Sequence, residues 1–357
     1  MDKKAIIAMS GGVDSSVAAF LMKEQGYDCM GVTIKMFDNE NIVVCREKSC
    51  CSLEDVEDAR SVAKKLEIPY HVFNFTANFK DTVINRFISA YENGATPNPC
   101  IDCNRYIKFD KLYRRAKELD YDYVVPGHYA QIEYDEINGR FLLKKGLDTT
   151  KDQSYVLYSM TQDQLAHTIF PLGNLKKSEV RIIAEQNGFI NALKQDSQDI
   201  CFVTDGDYAR FIENYTGKNY SEGNFVDTQG KILGKHNGII RYTVGQRKGL
   251  GLSLSKPMFV CSINNENNTV VLCEDKELFS KSLDAIDFNW IAYEKIEKPI
   301  RVQVKIRYKH AEQFATVTQT SNDIVHIEFD EPQRAITKGQ AVVLYDGDIV
   351  VGGGTII

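Results

Sequence analysis

The sequence predicts an α/β chain, with a doubly wound parallel sheet first and two small β-rich domains after it. Three observations carry that expectation. Short apolar runs alternate with helical stretches through residues 1–145, the pattern of a sheet built from strand–helix–strand units. A Gly-rich turn, Ser10-Gly11-Gly12-Val13-Asp14-Ser15-Ser16, joins the first run to the first helix. From about residue 205 onward, short β-rich runs are punctuated by Gly, Asn and Asp turns, as small barrels require.

Taken in order, the expected strands are Ala5–Met9, Cys29–Thr33, Tyr70–Asn74 and Tyr123–Pro126. Between them fall helices Val17–Gln25, Leu53–Leu66, Phe79–Asn93 and Lys108–Leu119. Residues 151–200 read as more helical, with Gln162–Thr168 and Lys177–Asn187 as candidates. The later β runs include Pro299–Tyr308, Ala315–Thr318, Ile324–Phe329 and Ala341–Leu344. The expected domains are therefore 1–204, 205–274 (small and β-rich) and 275–357 (β-barrel-like).

A length of 357 residues allows two or three domains with ample core. Met1-Asp2-Lys3-Lys4 is charged and the next apolar run is short, so nothing resembles a signal peptide. No segment approaches the length of a membrane span. A soluble, cytosolic protein is expected. Nine cysteines without a secretion signal argue for reactive or metal-binding thiols rather than a disulfide framework. The net charge of −6 gives no global nucleic-acid signature, so any RNA contact must be local.

The Gly-rich turn carries the first chemistry. Backbone N–H groups at a helix N-terminus point outward with partial positive charge, and phosphate binds there readily. Glycines let the backbone approach the anion closely. The turn is not a Walker A loop, because no Gly-Lys-Ser/Thr follows its glycines, and it lacks the Gly-x-Gly-x-x-Gly dinucleotide spacing. Asp14 is placed to hold Mg²⁺ against phosphates. The plain alternative is a turn that only connects strand to helix.

Cys100 and Cys103 form a Cys-x-x-Cys behind Pro97-Asn98-Pro99. Zinc would need a second pair, and the adjacent Cys50-Cys51 fits poorly. A thioredoxin-type pair normally follows a strand and opens a helix, whereas the prolines suggest a rigid loop. An iron–sulfur cluster could draw on Cys100, Cys103 and Cys201. The fourth reading is nucleophilic chemistry by Cys103 and Cys201.

The ordered set of motifs resembles the tRNA-specific 2-thiouridylase (MnmA) family of PP-loop ATP pyrophosphatases. The matching segments are Ala8–Ser16, Thr96-Pro97-Asn98-Pro99 with Cys103-Asn104, Ile107-Lys108-Phe109 and Gly127-His128-Tyr129. They continue with Lys151–Tyr155, Ile200-Cys201-Phe202, Gly245–Gly251 and Gly352-Gly353-Gly354. Three departures stand out: Cys100 where other members have Asp, Val125-Pro126 before Gly127 where Ala-Thr is usual, and Ser197-Gln198-Asp199 where Ser-Thr-Gly is usual.

The resemblance implies a doubly wound PP-loop domain and an ATP-dependent tRNA-uridine 2-sulfurtransferase that forms AMP and pyrophosphate. Its substrate would be the wobble uridine of the anticodon. Cys103 would be the nucleophile and Cys201 the persulfide carrier. ATP would be contacted by Ala8, Met9, Ser10, Gly11, Gly12, Val13, Asp14, Ser15, Ile34 and Gly127. Asn98, Pro99 and Cys100 would lie beside the target base. His128, Lys151, Asp152, Gln153, Arg307, Tyr308 and Gln340 would contact tRNA. Mg²⁺ and a persulfide donor, either a cysteine desulfurase or a sulfur-relay protein, complete the set. A cluster-dependent thiolase using Cys100, Cys103 and Cys201 is the less favoured mechanism. Other adenylating PP-loop enzymes, such as an amidotransferase synthetase or a tRNA lysidine synthetase, have no need of the two thiols. A non-enzymatic RNA-binding or redox-sensing protein would release no pyrophosphate.

Of the remaining cysteines, Cys29, Cys261 and Cys273 are expected to be small core residues. Cys45, Cys50 and Cys51 are expected to be loop thiols ahead of a helix, with a relay or metal role as the alternative. Arg301, Lys305, Arg307 and Lys309 are expected along one face of a strand. They would supply the local cations an RNA-binding face needs.

Overall fold

A computed structural model describes residues 3–37, 53–196, 200–203, 205–321 and 323–357. Cys45, Cys50 and Cys51 lie outside the described residues. The chain divides into two compact units: Met1–Val83, Cys100–Gly206 and Asp348–Val350 form the first, and Ile84–Pro99, Asp207–Gly347 and Val351–Ile357 form the second.

In the first unit, β1 (Lys4–Ala8), β2 (Asp28–Lys35), β3 (Tyr70–Asn74) and β4 (Tyr123–Pro126) form a parallel sheet of order β3-β2-β1-β4. The near-continuous apolar character of β1, β2 and β4 fits strands covered on both faces, while the edge strand β3 is largely exposed. Crossovers α1 (Val13–Glu24) and α2 (Leu53–Lys65) pack on this sheet. Val17, Ala18 and Met22 of α1 and Ala59, Val62 and Ala63 of α2 are buried with Ala5, Ile7 and Val125. The chain runs outward from β1 through β2 to β3, and β4 returns to the other side of β1. That reversal makes the carboxyl ends of β1 and β4 a switch point, where open parallel sheets hold ligands.

Helix α1 begins at Val13, four residues earlier than expected, because Gly12 with φ −86° and ψ 159° serves as its N-cap. The expected helix Phe79–Asn93 is instead α3 (Thr76–Phe79), a π-wound turn Lys80–Ile84 and α4 (Asn85–Glu92). The Cys-x-x-Cys lies in α5 (Pro99–Asp102) and in a π-wound helix, Cys103–Lys111, that leads into α6 (Leu112–Glu118). Such winding recurs at functional sites. A hairpin, β5 (Ala130–Asp135) and β6 (Arg140–Lys145), follows β4, where the sequence reading places no strands. The short α7 (Gln162–Ala166) and α8 (Lys177–Gln186) then fall where helices are expected.

The second unit continues with α9 (Tyr208–Thr216) and the strands β7 (Gly223–Val226), β8 (Ile232–His236), β9 (Phe259–Asn264) and β10 (Thr269–Cys273), in the order β8-β7-β10-β9. Then β11 (Phe279–Trp290), β12 (Ile300–Lys305), β13 (Gln313–Gln319), β14 (Val325–Arg334), β15 (Ala341–Asp346) and β16 (Ile349–Ile356) run as β11-β14-β13-β12-β15-β16. Pairing of β11 with β16 closes them into a six-stranded barrel around Val302, Val304, Val317, Ile327, Phe329 and Leu344. The Gly-rich tail has a packing reason. A Cβ at Gly352 would stand 2.5 Å from Asn289 O, and one at Gly354 2.8 Å from Ile286 O. Asp287, with φ +51°, marks the bulge in β11 opposite them.

Among the described residues, no helix is long and apolar enough to cross a membrane. Cys29 and Cys273 are buried as expected, while Cys261 is only half-buried.

Candidate active site

The phosphate loop is held by its own hydroxyls and by residues far away in sequence. Ser10 N–H donates to Ser15 Oγ at 3.1 Å, and the Ser15 and Ser16 hydroxyls donate to Gly12 O at 3.0 and 3.1 Å. Gly11 has φ +77°, and a Cβ there would lie 2.4 Å from Asp55 O of α2. Only glycine fits that backbone and that approach. At Gly127, just after β4, a Cβ would stand 2.7 Å from Ser15 N, so the loop rests directly on Gly127. Gly12 differs. Its Cβ direction meets nothing closer than Ser10 Oγ at 3.6 Å, and no side chain caps α1 there. The N-terminus of α1 is thus left without a side-chain cap at the switch point. Met9 N donates to Val32 O, and Thr33 Oγ1 donates to Met9 O at 2.6 Å. These bonds register the loop against β2, whose carboxyl end carries the buried Ile34.

Three residues that sequence reasoning did not single out complete this loop. Asn191, 2 % exposed, donates through Nδ2 to Gly11 O and Ser16 Oγ, each at 2.9 Å. Lys177, the first residue of α8, places Nζ 2.7 Å from both Asp14 oxygens. Tyr129 donates its hydroxyl to Asp14 Oδ1 at 2.7 Å, and burial together with the Asp14 charge raises the Tyr129 pKa far above the ordinary phenol value. Lys177 also meets Asp196 at 2.7 Å, and Asp196 is shared with Lys151 at 2.7 Å and Arg181 at 3.4 Å. Although burial opposes it, hydrogen bonds from Lys151 and Lys177 hold the Asp196 carboxyl below the usual carboxylate range.

Both expected thiols belong to the first unit and are half-buried, while Cys100 is exposed. Cys103 Sγ lies 3.8 Å from Met36 Sδ, just past the end of β2. The next residue, Phe37, packs on Phe79, and Phe79 packs edge-on against Phe202 beside Cys201. Ring-to-ring distances are 6.2 and 5.8 Å. Phe202, 1 % exposed, anchors the turn that presents Cys201. One aromatic cluster thus supports both thiol-bearing segments at the carboxyl end of β2. Among the described residues, no three His, Cys, Asp or Glu side chains are gathered to hold a metal ion, so Cys100, Cys103 and Cys201 do not form a cluster ligand set in this arrangement.

The expected RNA-contacting residues fall into two groups. His128 is 6 % exposed, wedged between Phe109 and Phe170 with Lys108 Nζ 3.4 Å from Nε2. Burial, reinforced by the Lys108 charge, pushes its pKa well below 6.5. The imidazole is thus packed in the interior, where its neutral form is favoured. Asp152 accepts from Gly146 N and Ser154 N, and Gln153 Oε1 accepts from Tyr129 N at 3.0 Å. Both side chains thus accept from backbone N–H groups, Gln153 from one 24 residues away in sequence, while Lys151 pairs with Asp196. In the second unit Asn98 is half-buried and Pro99 buried, and Gln340 donates to Thr96 O at 2.7 Å. Arg307 and Tyr308 are exposed. The basic strand is shorter than expected. β12 ends at Lys305, Arg301 is held bidentately by Asp330, and Lys305 faces Glu312 at 3.9 Å. Arg307 and Lys309 lie beyond the strand, so the four cations do not form one uniform stripe.

Three family models match consecutive stretches of the chain. A family model described as tRNA methyl transferase HUP domain matches residues 3–205. One described as tRNA methyl transferase PRC-barrel domain matches residues 209–274, and one described as aminomethyltransferase beta-barrel domain matches residues 280–356. The chain is 55 % identical over 356 residues to a tRNA-specific 2-thiouridylase MnmA of Clostridioides difficile strain 630, covering 100 % of this chain and 98 % of that protein. Identity is 53 % over 355 residues to the protein of that name from Acetivibrio thermocellus, covering 99 % of each. It is 51 % over 356 residues to that from Clostridium acetobutylicum, covering 100 % of each. At this identity, over essentially the full length of both partners, the chain belongs to the tRNA-specific 2-thiouridylase MnmA family.

Proposed function

We propose that the protein is an ATP-dependent tRNA-uridine 2-sulfurtransferase acting on the wobble uridine of the anticodon in the cytoplasm. The observation that carries the reading is the joining, in one unit, of an uncapped Gly-rich helix N-terminus with two half-buried thiols at the carboxyl edge of a parallel sheet. ATP fits the loop. The space on the Cβ side of Gly12 is open, and a phosphate bound at a helix N-terminus gains both hydrogen bonds and the helix dipole. Mg²⁺ would be held against the phosphates by Asp14, where it would neutralise charge on the leaving pyrophosphate.

The C2 oxygen of uracil is a poor leaving group. Its attack on the α-phosphorus of ATP releases pyrophosphate and leaves that oxygen adenylated, so that C2 carries AMP as a leaving group. The terminal sulfur of a Cys201 persulfide then attacks C2. The Cys103 thiolate attacks Cys201 Sγ, and the S–S electron pair passes to the transferred sulfur. The C2–sulfur double bond forms as AMP departs, leaving a Cys103–Cys201 disulfide. An alternative order has Cys103 release hydrosulfide from the persulfide first. Either order needs two thiols and a reductant to restore them. The persulfide comes from a cysteine desulfurase or a sulfur-relay protein. An anticodon-loop base is unpaired, so it reaches the site at low unstacking cost. The test is pyrophosphate release with tRNA and ATP, followed by nucleoside mass spectrometry for 2-thiouridine. Pyrophosphate released without tRNA, or thiolation surviving loss of both cysteines, would contradict the reading.

A further inference from the structure

We propose that Asp196 is a positioning residue that ties the phosphate-loop carboxylate Asp14, through Lys177, to Lys151 on the RNA side. The inference rests on the function proposed above. The connections are direct and short: Asp14 to Lys177, Lys177 to Asp196 and Asp196 to Lys151 are each 2.7 Å. The Lys177 side chain is only 10 % exposed and the Asp196 side chain 22 %, so water screens these pairs weakly. Sequence does not bring them together, since Lys177 is 163 residues from Asp14 and Asp196 is 45 from Lys151.

An ion pair that served only stability would not need this arrangement. Asp14 already has the Tyr129 hydroxyl at 2.7 Å. One ammonium bridges two carboxylates, and the second carboxylate carries two further cations, Lys151 and Arg181. A third carboxylate, Asp148, accepts from Lys177 N at 2.9 Å, so three cations and three carboxylates balance beside the N-terminus of α1 and a change in one pairing is passed to the others. Removing Asp196 releases Lys151 and leaves Lys177 on Asp14 alone. An RNA phosphate that engages Lys151 competes with Asp196 for it, and Asp196 then closes more tightly on Lys177. Occupancy on the RNA side is thereby felt at Asp14, which gives pyrophosphate release a physical reason to depend on tRNA.

The experiment measures pyrophosphate release against ATP concentration, with and without anticodon-containing tRNA. It compares the wild type with Asp196→Asn, Asp196→Glu, Lys151→Met and the Asp196→Asn/Lys151→Met double variant. Asp196→Asn is expected to lower the tRNA-stimulated kcat at least tenfold while the KM for ATP stays within twofold. Asp196→Glu is expected to recover part of that kcat, and the double variant to be no worse than Asp196→Asn. A purely structural role would move kcat and KM together with thermal stability and would not depend on tRNA. The proposal is overturned if tRNA stimulates Asp196→Asn as fully as wild type, or if the effects of Asp196→Asn and Lys151→Met multiply independently. A wild-type protein that releases no pyrophosphate with tRNA and ATP would instead remove the function on which the proposal stands.

Discussion

The two adjacent glycines of the phosphate loop should respond oppositely to the same added methyl group. At Gly11, alanine must adopt φ +77° and place its Cβ 2.4 Å from Asp55 O. The left-handed backbone costs about 1–2 kcal/mol, and forcing a methyl against the backbone of α2 adds about 1–3 kcal/mol. Gly11→Ala should therefore lose about 2–5 kcal/mol of stability, roughly 4–20 °C in Tm at 2–4 °C per kcal/mol. At Gly12, φ −86° and ψ 159° suit any residue, and the Cβ meets only Ser10 Oγ at 3.6 Å. The smaller unfolded-state entropy favours alanine by about 0.4–1 kcal/mol, and its weaker N-cap preference offsets this. Gly12→Ala should leave Tm nearly unchanged. ATP should tell the two apart, because the new methyl at position 12 occupies the space proposed for phosphate. Losing one charge-assisted hydrogen bond of about 1.5–3 kcal/mol raises the KM for ATP by roughly 10- to 150-fold. The assays are differential scanning fluorimetry and tRNA-dependent pyrophosphate release. A Gly12→Ala protein with wild-type Tm and a KM for ATP within twofold of wild type would refute the placement of phosphate at this helix end.

Other outcomes follow from the same geometry. Cys103→Ser and Cys201→Ser should each abolish 2-thiouridine formation while leaving ATP binding intact, as read by nucleoside mass spectrometry and ATP titration; substantial thiolation by either contradicts the two-thiol chemistry. Arg307→Glu should weaken tRNA binding and lower the salt slope by about one phosphate contact, with ATP affinity unaltered; an unchanged slope in titrations at several salt concentrations would show that this exposed arginine faces away from RNA. Because burial holds His128 neutral with a pKa well below 6.5, the unfolded chain takes up a proton there that the folded chain refuses as pH falls below about 6.5. Stability should therefore drop with decreasing pH, and His128→Gln should flatten the fall by up to about 1.4 kcal/mol per pH unit; equal pH slopes of urea midpoints for the two proteins would contradict this.

The parallel sheet is legible because its strands are apolar and each of the first three is followed by a helical stretch. The phosphate loop is legible because its signal is local. The hairpin β5–β6 escapes a reading by strand–helix repeats since it lies inside that stretch, although Gln131-Ile132-Glu133-Tyr134 alternates and Asn138-Gly139 marks a turn. The π-wound segments have no residue-type signature, so Cys103–Lys111 reads as loop and ordinary helix. Lys177 and Asn191 are hidden for a different reason. Each reaches the loop from more than 160 residues away, and nothing in Lys177-Ser178-Glu179 distinguishes a buried ligand of Asp14 from a solvated helix start. The basic run from Arg301 to Lys309 misleads in the opposite sense, because periodicity along one strand cannot see the partners Asp330 and Glu312 supplied from elsewhere in the barrel.

The most direct test of the chemistry follows the sulfur itself. The protein is loaded with a ³⁴S persulfide at Cys201, verified by peptide mass spectrometry, freed of donor, and mixed with ATP, Mg²⁺ and unmodified tRNA for a single turnover. Transfer from Cys201 predicts ³⁴S-labelled 2-thiouridine at the wobble position, one AMP and one pyrophosphate per sulfur, and a Cys103–Cys201 disulfide in the spent protein. Label retained on Cys201 after pyrophosphate release, or 2-thiouridine formed without the label, would contradict it.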